Sequence, residues 1–487
     1  MGTIRNPYAI DSLTRKQVGA ENVFPLRCIT AIEGQFHCLQ LKSLNLLIKH
    51  VKENYIMRNH TIYFLFLPVV LLSLGIAQTA SAMPNFARKY SMSCSGCHNP
   101  VPRLNEFGFK FRAAGFRTPD EIGKAETSKD MGDYFAARTQ ASADFLSSKD
   151  KNDNTSTKSQ LSFREITIYP LTGSYAKNFS SLIEISLLPE DFMEIENGYV
   201  KANFGSETDH WSARFGIFHP FEGYGASDRP LSISRPLFQG TDANYNGKTY
   251  FTPWNFDQMG LELGYNKDQF SVRATVFNGL YYDAAESKTF PAQSGIAGEL
   301  VKPDHGNPYS AAYDSKDIQL FATYLLTDNG GGISGYAYFG NLDLPAPDGT
   351  TYLNAFQRYA LYGSYPVQTA LFLAGVQSGT DDKYSTMKPG KDGTFTSLGF
   401  FGEGDYEFNE NLHVGARYDK FYPQTTDLDA IKNAQQAISL FANVPLNNGL
   451  QFIGEYKYKQ SEKGKSATGE TLSQKDNTVQ VRMIFIY

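Results

Sequence analysis

The sequence lacks the features that define several common protein classes. Only one long uncharged stretch, near the N-terminus, is also continuously apolar, which excludes a polytopic helical membrane protein with about 20 apolar residues per span. The other uncharged interval, Tyr359 to Thr380, is broken by Gly363, Ser364, Pro366, Gln368 and Gly375 and reads poorly as a spanning helix. Four cysteines in 487 residues, two of them in one C-x-x-C-H, exclude a disulfide-built scaffold. Tryptophan is scarce, with two residues, yet 36 Phe and 30 Tyr raise the aromatics to 14%. That abundance excludes a disordered chain. No phosphate-cradling glycine loop, catalytic triad or basic nucleic-acid stripe stands out, so no nucleic-acid partner is expected.

The N-terminal apolar stretch reads as an export signal. Met57 and Arg58 precede a compact run from Ile62 to Leu74, which leads to Ala80-Ser81-Ala82. A basic start, an apolar centre and a small-x-small site place the signal at residues 57–82; a retained signal anchor is the alternative. Residues 1–56 then read as an upstream over-extension of the reading frame. The mature chain from Met83 carries 37 basic and 46 acidic residues, a net of −9, divided between +4 for Met83 to Lys124 and −13 for the remainder. The two parts are of opposite sign and attract each other.

The strongest chemical pattern is Cys94-Ser95-Gly96-Cys97-His98. In an exported protein this spacing lets two thiols bind the vinyl groups of one haem while the adjacent histidine ligates its iron. Two alternatives are a redox C-x-x-C, which needs a thioredoxin-like βαβ context, and a zinc site, which needs a second ligand pair. The expected cofactor is therefore one covalent haem c. Downstream, Leu104, Phe107 and Phe111 recur at helical spacing before Gly115, giving an apolar face for a haem or for any neighbouring element. Residues 83–130 are too few to enclose a haem and also build a core.

From about Met131 to Tyr487 the chain reads as strands. Met259, Leu261, Leu263 and Tyr265, or Phe270, Val272, Ala274 and Val276, alternate with small, polar or charged partners. Sixteen such segments, with links that tend to alternate longer and shorter, predict an all-β fold: a 16-stranded antiparallel transmembrane barrel in a bacterial outer membrane. Both barrel ends then lie in the periplasm, and the last strand closes on the first. A soluble sandwich or propeller is the alternative.

Taken together, an F-A-R before C-x-x-C-H, then P-x-L-N-x-F-G-x-x-F-x-x-x-G-F from Pro102, then a barrel, resembles the fused outer-membrane monohaem cytochrome-porins implicated in extracellular Fe(II) oxidation. The match is specific over Phe86 to Phe116 and architectural over the barrel. The resemblance implies a small helical cytochrome plugging the periplasmic side. It implies haem attachment at Cys94 and Cys97, His98 as proximal ligand, and electron flow from external Fe(II) or another small reductant to a periplasmic carrier cytochrome. That activity is an Fe(II):cytochrome c oxidoreductase, whereas a solute or ion porin with the segment as gate, tether or sensor is the alternative. Iron-associated members often carry Thr-Gly shortly before the first cysteine, where this chain has Lys89-Tyr90-Ser91; the departure concerns the reductant, not the haem.

For the sixth iron ligand the alternation favours His210 and His413, on the lumen face near periplasmic strand ends, or the sulfur of Met131, Met83 or Met92. Each histidine also reads as an ordinary lumen-lining polar residue. His219 and His305 fall at the outer end of a strand and in an external loop, so neither is well placed for a plug entering from the periplasm. Asp381 and Asp382, Asp427 and Asp429, and Asp314 and Asp317 are expected near the outer face, as cation-attracting or simply solvated charge.

Overall fold

Strand residues here face either an interior of mixed polar and aromatic side chains or an apolar exterior. In Phe270–Phe277, Ser271, Arg273, Thr275 and Phe277 are buried, whereas Phe270 and Val276 are 43% and 46% exposed. In Gln258–Lys267, Gln258 and Glu262 are buried while Leu261 and Leu263 project outward. Apolar side chains on the exposed face with polar and charged groups buried behind them are the arrangement of a lipid-facing wall.

The computed structural model describes residues 84–98, 101–124, 130–150, 152–187, 194–220, 231–239, 244–245, 248–249, 257–279, 281–283, 299–301, 316–328, 331–345, 351–382, 394–409, 411–423, 434–446, 449–465 and 471–486. The expected signal, the chain before it, Met83 and His305 lie outside these residues. The wall is one antiparallel sheet whose sixteen strands follow chain order; a two-residue piece, Gly173–Ser174, also joins it. The strands are β1 Ala136–Asp150, β2 Thr155–Tyr169, β3 Phe179–Leu187, β4 Glu194–Gly205, β5 Asp209–Phe218, β6 Gln258–Lys267, β7 Phe270–Phe277 and β8 Asp317–Leu325. They continue with β9 Gly332–Pro345, β10 Thr351–Val367, β11 Ala370–Asp381, β12 Phe395–Asn409, β13 Leu412–Tyr422, β14 Gln435–Pro445, β15 Leu450–Lys465 and β16 Thr471–Ile486. β1 pairs with β16 from Arg138↔Ile486 to Asp150↔Gln474, so the barrel closes without a bare edge.

Several strands outrun the apolar pattern that signals them. The apolar alternation of the first two strands spans only residues 133–146 and 159–170, yet they pair on to Lys149↔Thr155. Asp150 accepts backbone hydrogen bonds from Asn152 and Asn154 at 2.8 and 2.9 Å, which fixes a tight turn between them. Alternation marks only the lipid-facing band, whereas backbone pairing persists through the polar residues beyond it. At the opposite end the links are short, with 206–208, 268–269, 368–369 and 410–411 joining their strands. Both barrel termini, Ala136 and Ile486, lie at this short-turn end.

Two segments occupy the interior. Residues 84–124 form α1 Pro84–Tyr90, a turn at Cys94–Gly96 and α2 Glu106–Ala113. From the other side, 231–239 between β5 and β6 fold inward: Leu231 and Phe238 are buried, and Phe238 packs on Tyr362 and Phe401 at 6.4 and 6.1 Å between ring centroids. Arg417 on β13 holds this segment through Ser232, the Ser234 carbonyl at 2.7 Å and the Arg235 carbonyl at 3.2 Å.

Candidate functional site

The 84–124 segment is stitched to the barrel at the short-turn end. Asn85 donates to the Thr172 carbonyl at 3.0 Å, and Arg88 to the carbonyls of Gly132 and Phe135 at 2.7 and 2.9 Å. Arg117 donates to the carbonyls of Ala176, Lys177 and Phe179 in the β2–β3 connection. From β4, Lys201 and Asn203 donate to the Ala113 carbonyl at 2.6 and 2.8 Å, satisfying an oxygen left open at the C-terminus of α2. Across the lumen, Asn443 and Gln451 donate to the Val101 carbonyl at 2.9 and 3.1 Å. Arg103 is buried between Glu403 and Asp405 of β12, at 3.1 and 2.8 Å. A buried guanidinium needs such partners, and a two-carboxylate clamp positions the loop between the cysteines and α2.

Inside the segment, Asn105 joins the cysteine loop to α2. Its side-chain oxygen caps the helix by accepting from Gly108 N at 2.8 Å, and its amide donates to the carbonyls of Ser95 and Gly96 at 3.2 and 3.1 Å. Gly108 is required by close approach, because a Cβ there would overlap the carbonyl oxygen of Cys97. Gly115 follows the helix at φ +77°, where a Cβ would come within 2.5 Å of Ser180 Oγ and 2.7 Å of Asn203 Oδ1. The asparagine and glycines of the sequence motif are therefore contact residues.

Phe86, Tyr90, Phe107, Phe111 and Phe116 cluster, with Phe111 5.2 and 5.4 Å from the rings of Phe86 and Tyr90. α2 is not apolar on one face alone. Phe109, on another side, is buried against Leu325 and lies under the Arg273 guanidinium. A helix inside a barrel is covered on all sides, so a single apolar stripe under-describes it.

Cys94, Cys97, His98, Met92 and Leu104 line a cavity of about 470 Å³ inside the barrel, within the ~300–1,000 Å³ range of cofactor pockets. Phe86, Phe111, Phe116 and Leu182 supply its apolar lining, and Arg112, Arg138, Lys201, Arg214, Arg235 and Arg273 its basic groups, against Glu184, Glu196, Asp257 and Glu262. The two cysteines are not joined by a disulfide. Burial, and second the adjacent Cys94, push the Cys97 thiol up to about 11. A redox C-x-x-C needs a depressed thiol, so this environment disfavours that alternative. His98 Nδ1 lies 3.1 Å from the Pro102 carbonyl. A carbonyl only accepts, so Nδ1 carries the proton and the neutral ring presents its lone pair at Nε2. Paired thiols, a histidine in the ligating tautomer and an adjoining apolar and basic cavity fit a covalent haem with two propionates.

The favoured distal ligands are not at this cavity. His210 is buried on the far flank of α2, where with Phe109, Lys110 and Ala113 it lines a separate cavity of about 20 Å³. His413 is buried near the start of β13 opposite Asn443 and is absent from the cavity lining. Met131 is 68% exposed in the turn before β1. Both histidines are buried, and neither is in the lining of the cavity that holds Cys94, Cys97 and His98. The cavity instead receives His219 and Met92.

His219 directly follows β5, and Asp257 directly precedes β6. The register Phe218↔Gln258 sets them side by side, and His219 Nδ1 lies 2.9 Å from Asp257 Oδ1. That pairing could have been read by counting outward along the two strands. Two of the acidic residues expected near the outer face are lumen-wall groups: Asp317 accepts from the Tyr338 hydroxyl at 2.6 Å, and Asp381 pairs with Arg358 at 2.9 Å. Asp314, Asp427 and Asp429 lie outside the described residues.

No protein-family model matches the chain, and no curated protein matches it. Solved structures similar to it include a bacterial outer-membrane channel and porins. The outer-membrane channel DcaP of Acinetobacter baumannii is 11% identical at a TM-score of 0.47, covering 72% of this chain and 96% of its own. An anion-selective porin from Comamonas acidovorans is 12% identical at 0.44, covering 72% and 98%. OprB of Pseudomonas putida is 10% identical at 0.42, covering 72% and 93%.

Proposed function

We propose that the protein is an outer-membrane electron-transfer cytochrome-porin, in which one covalent haem c, enclosed by the barrel, passes electrons from an extracellular reductant to a periplasmic carrier. The observation that carries this reading is the 470 Å³ cavity lined by Cys94, Cys97 and His98 within a closed barrel. A haem attached there supplies a one-electron couple. The chain's own residues bind and orient it: the cysteines by thioether attachment, His98 through the Nε2 lone pair that Pro102 enforces, and the cavity's arginines and Lys201 by meeting propionate charge.

The barrel's lipid-facing side chains, such as Trp211, Phe215, Leu261 and Leu361, place it in an outer membrane. With signal cleavage after Ala82, the short-turn end and both barrel termini face the periplasm. Fe(II) is the reductant that the sequence resemblance favours. The −13 balance of the chain beyond Lys124 suits a cationic donor.

The second reading, a solute or ion porin with the segment as gate, tether or sensor, draws on the same sixteen-stranded barrel and its charged lumen. Purified protein from a host that matures c-type cytochromes separates the two. Covalent haem after denaturation and its reduction by Fe(II) at neutral pH are expected, with little solute flux in liposomes. A haem-free product with high flux would establish the porin instead.

A further inference from the structure

Resting on the haem reading above, we infer that His219, held by Asp257, is the distal axial ligand of the iron. The geometry of the ring is the first support. Its Nδ1 bonds to a carboxylate oxygen, which accepts only, so Nδ1 carries a proton and Nε2 is the nitrogen left to act as a ligand. That Nε2 is buried and has no hydrogen-bond partner among the described residues. A buried, partnerless imidazole nitrogen is costly unless it binds something. A carboxylate on the opposite nitrogen is the usual outer-shell support of a metal-binding histidine, fixing its orientation and raising its basicity.

Position is the second support. β5 runs from Asp209 at the short-turn end to Phe218 at the other, so His219 reaches the cavity from the end opposite the plug that carries His98. A group held between them would receive one imidazole from the plug and one from the wall. Met92 is the sulfur competitor in the lining, but it belongs to the attachment loop itself. Its Sδ lies 4.0 Å from the position a Cβ on Gly96 would take, beside the cysteines and not across from them. Two imidazoles favour a lower potential than a His/Met pair, and the Asp257 carboxylate pushes in the same direction by strengthening the donor.

The test uses the full-length, haem-loaded protein in detergent, with absorption and electron paramagnetic resonance spectra. Wild type is expected to be low-spin with two nitrogen ligands. His219→Gly should carry the same covalent haem per barrel but lose the low-spin signal by about tenfold, and added imidazole should restore it. His219→Met should stay six-coordinate with a His/Met spectrum and a raised potential. Asp257→Asn should stay low-spin with a potential shifted upward. Heat-modifiable electrophoretic mobility reports whether each barrel is folded. Should His219→Gly fail to fold, His219→Met carries the test.

An unchanged low-spin spectrum in folded His219 variants would overturn the inference, as would loss of the low-spin signal in Met92→Leu alone. A high-spin wild type with attached haem would also overturn it while leaving the proposed function intact. Absence of covalent haem in the wild type would defeat the proposed function itself.

Discussion

The barrel wall and the segment inside it are built on opposite principles. The wall repeats one instruction along its strands, apolar outward against an inner face of mixed polar and aromatic side chains, so each residue is one of many that say the same thing. The plug has no repeat. Its place depends on single contacts: Arg103 to Glu403 and Asp405, Asn105 to the cysteine loop, Gly108 beneath Cys97. Redundancy should make the wall tolerant of substitution, and singularity should make the plug fragile.

The sharpest way to break the comparison is Arg103→Met. It leaves two buried carboxylates facing an apolar side chain, and removing one partner of a buried ion pair costs about 3–5 kcal/mol. Arg417, 3.5 Å from Glu403, offsets part of that and holds the effect to about 3 kcal/mol. The plug should become protease-sensitive and single-channel conductance should rise, while the heat-modifiable barrel persists. A conductance that stays closed would mean that the remaining stitches suffice.

Next in size is Gly108→Ala. The added Cβ overlaps the Cys97 carbonyl, and both partners are backbone-fixed, so an overpacking cost of about 2–3 kcal/mol is expected. On the proposed haem reading, attachment yield should fall at least several-fold at unchanged barrel yield. Asn105→Ala should follow at about 1–2 kcal/mol, from a lost helix cap and two lost hydrogen bonds to Ser95 and Gly96. Attachment should survive there, and the spectrum should broaden as His98 loses its fixed orientation.

The same contrast explains what could be read in advance. Strand number, closure and the two faces were legible because alternation states them repeatedly, as in Leu261 and Leu263 outside against Glu262 inside. Strand ends were not, since the polar hairpin to Lys149 and Thr155 pairs through its backbone without an apolar signal. The cysteine motif and its neighbours announced a site. The wall's contribution to that site is harder to read, because nearness to the short-turn end points to His210 and His413, whereas the cavity lining holds His219. Neither the depth the plug reaches nor the inward fold of 231–239 has a local signature. Together they bring the cavity to His219 at the far end of β5.

The smallest effect belongs to an apolar truncation on the outer face of the wall. Leu263 projects from β6 and is 56% exposed, opposite in sense to the buried Gln258 and Glu262 of the same strand. In a soluble core, Leu→Ala opens a cavity and costs about 2–5 kcal/mol. Here the neighbours on the outer face are acyl chains, which close over the lost carbons, so Leu263→Ala should cost under ~1 kcal/mol in reversible unfolding from vesicles. Leu263→Arg in the same position should cost about 2–4 kcal/mol near the bilayer midplane, because a charge then meets hydrocarbon. Both variants should retain the haem spectrum of the parent, the plug being anchored on the lumen face. A penalty above ~2 kcal/mol for Leu263→Ala would mean that protein, not lipid, covers this face, and the comparison between a redundant wall and a singular plug would have to be redrawn around that contact.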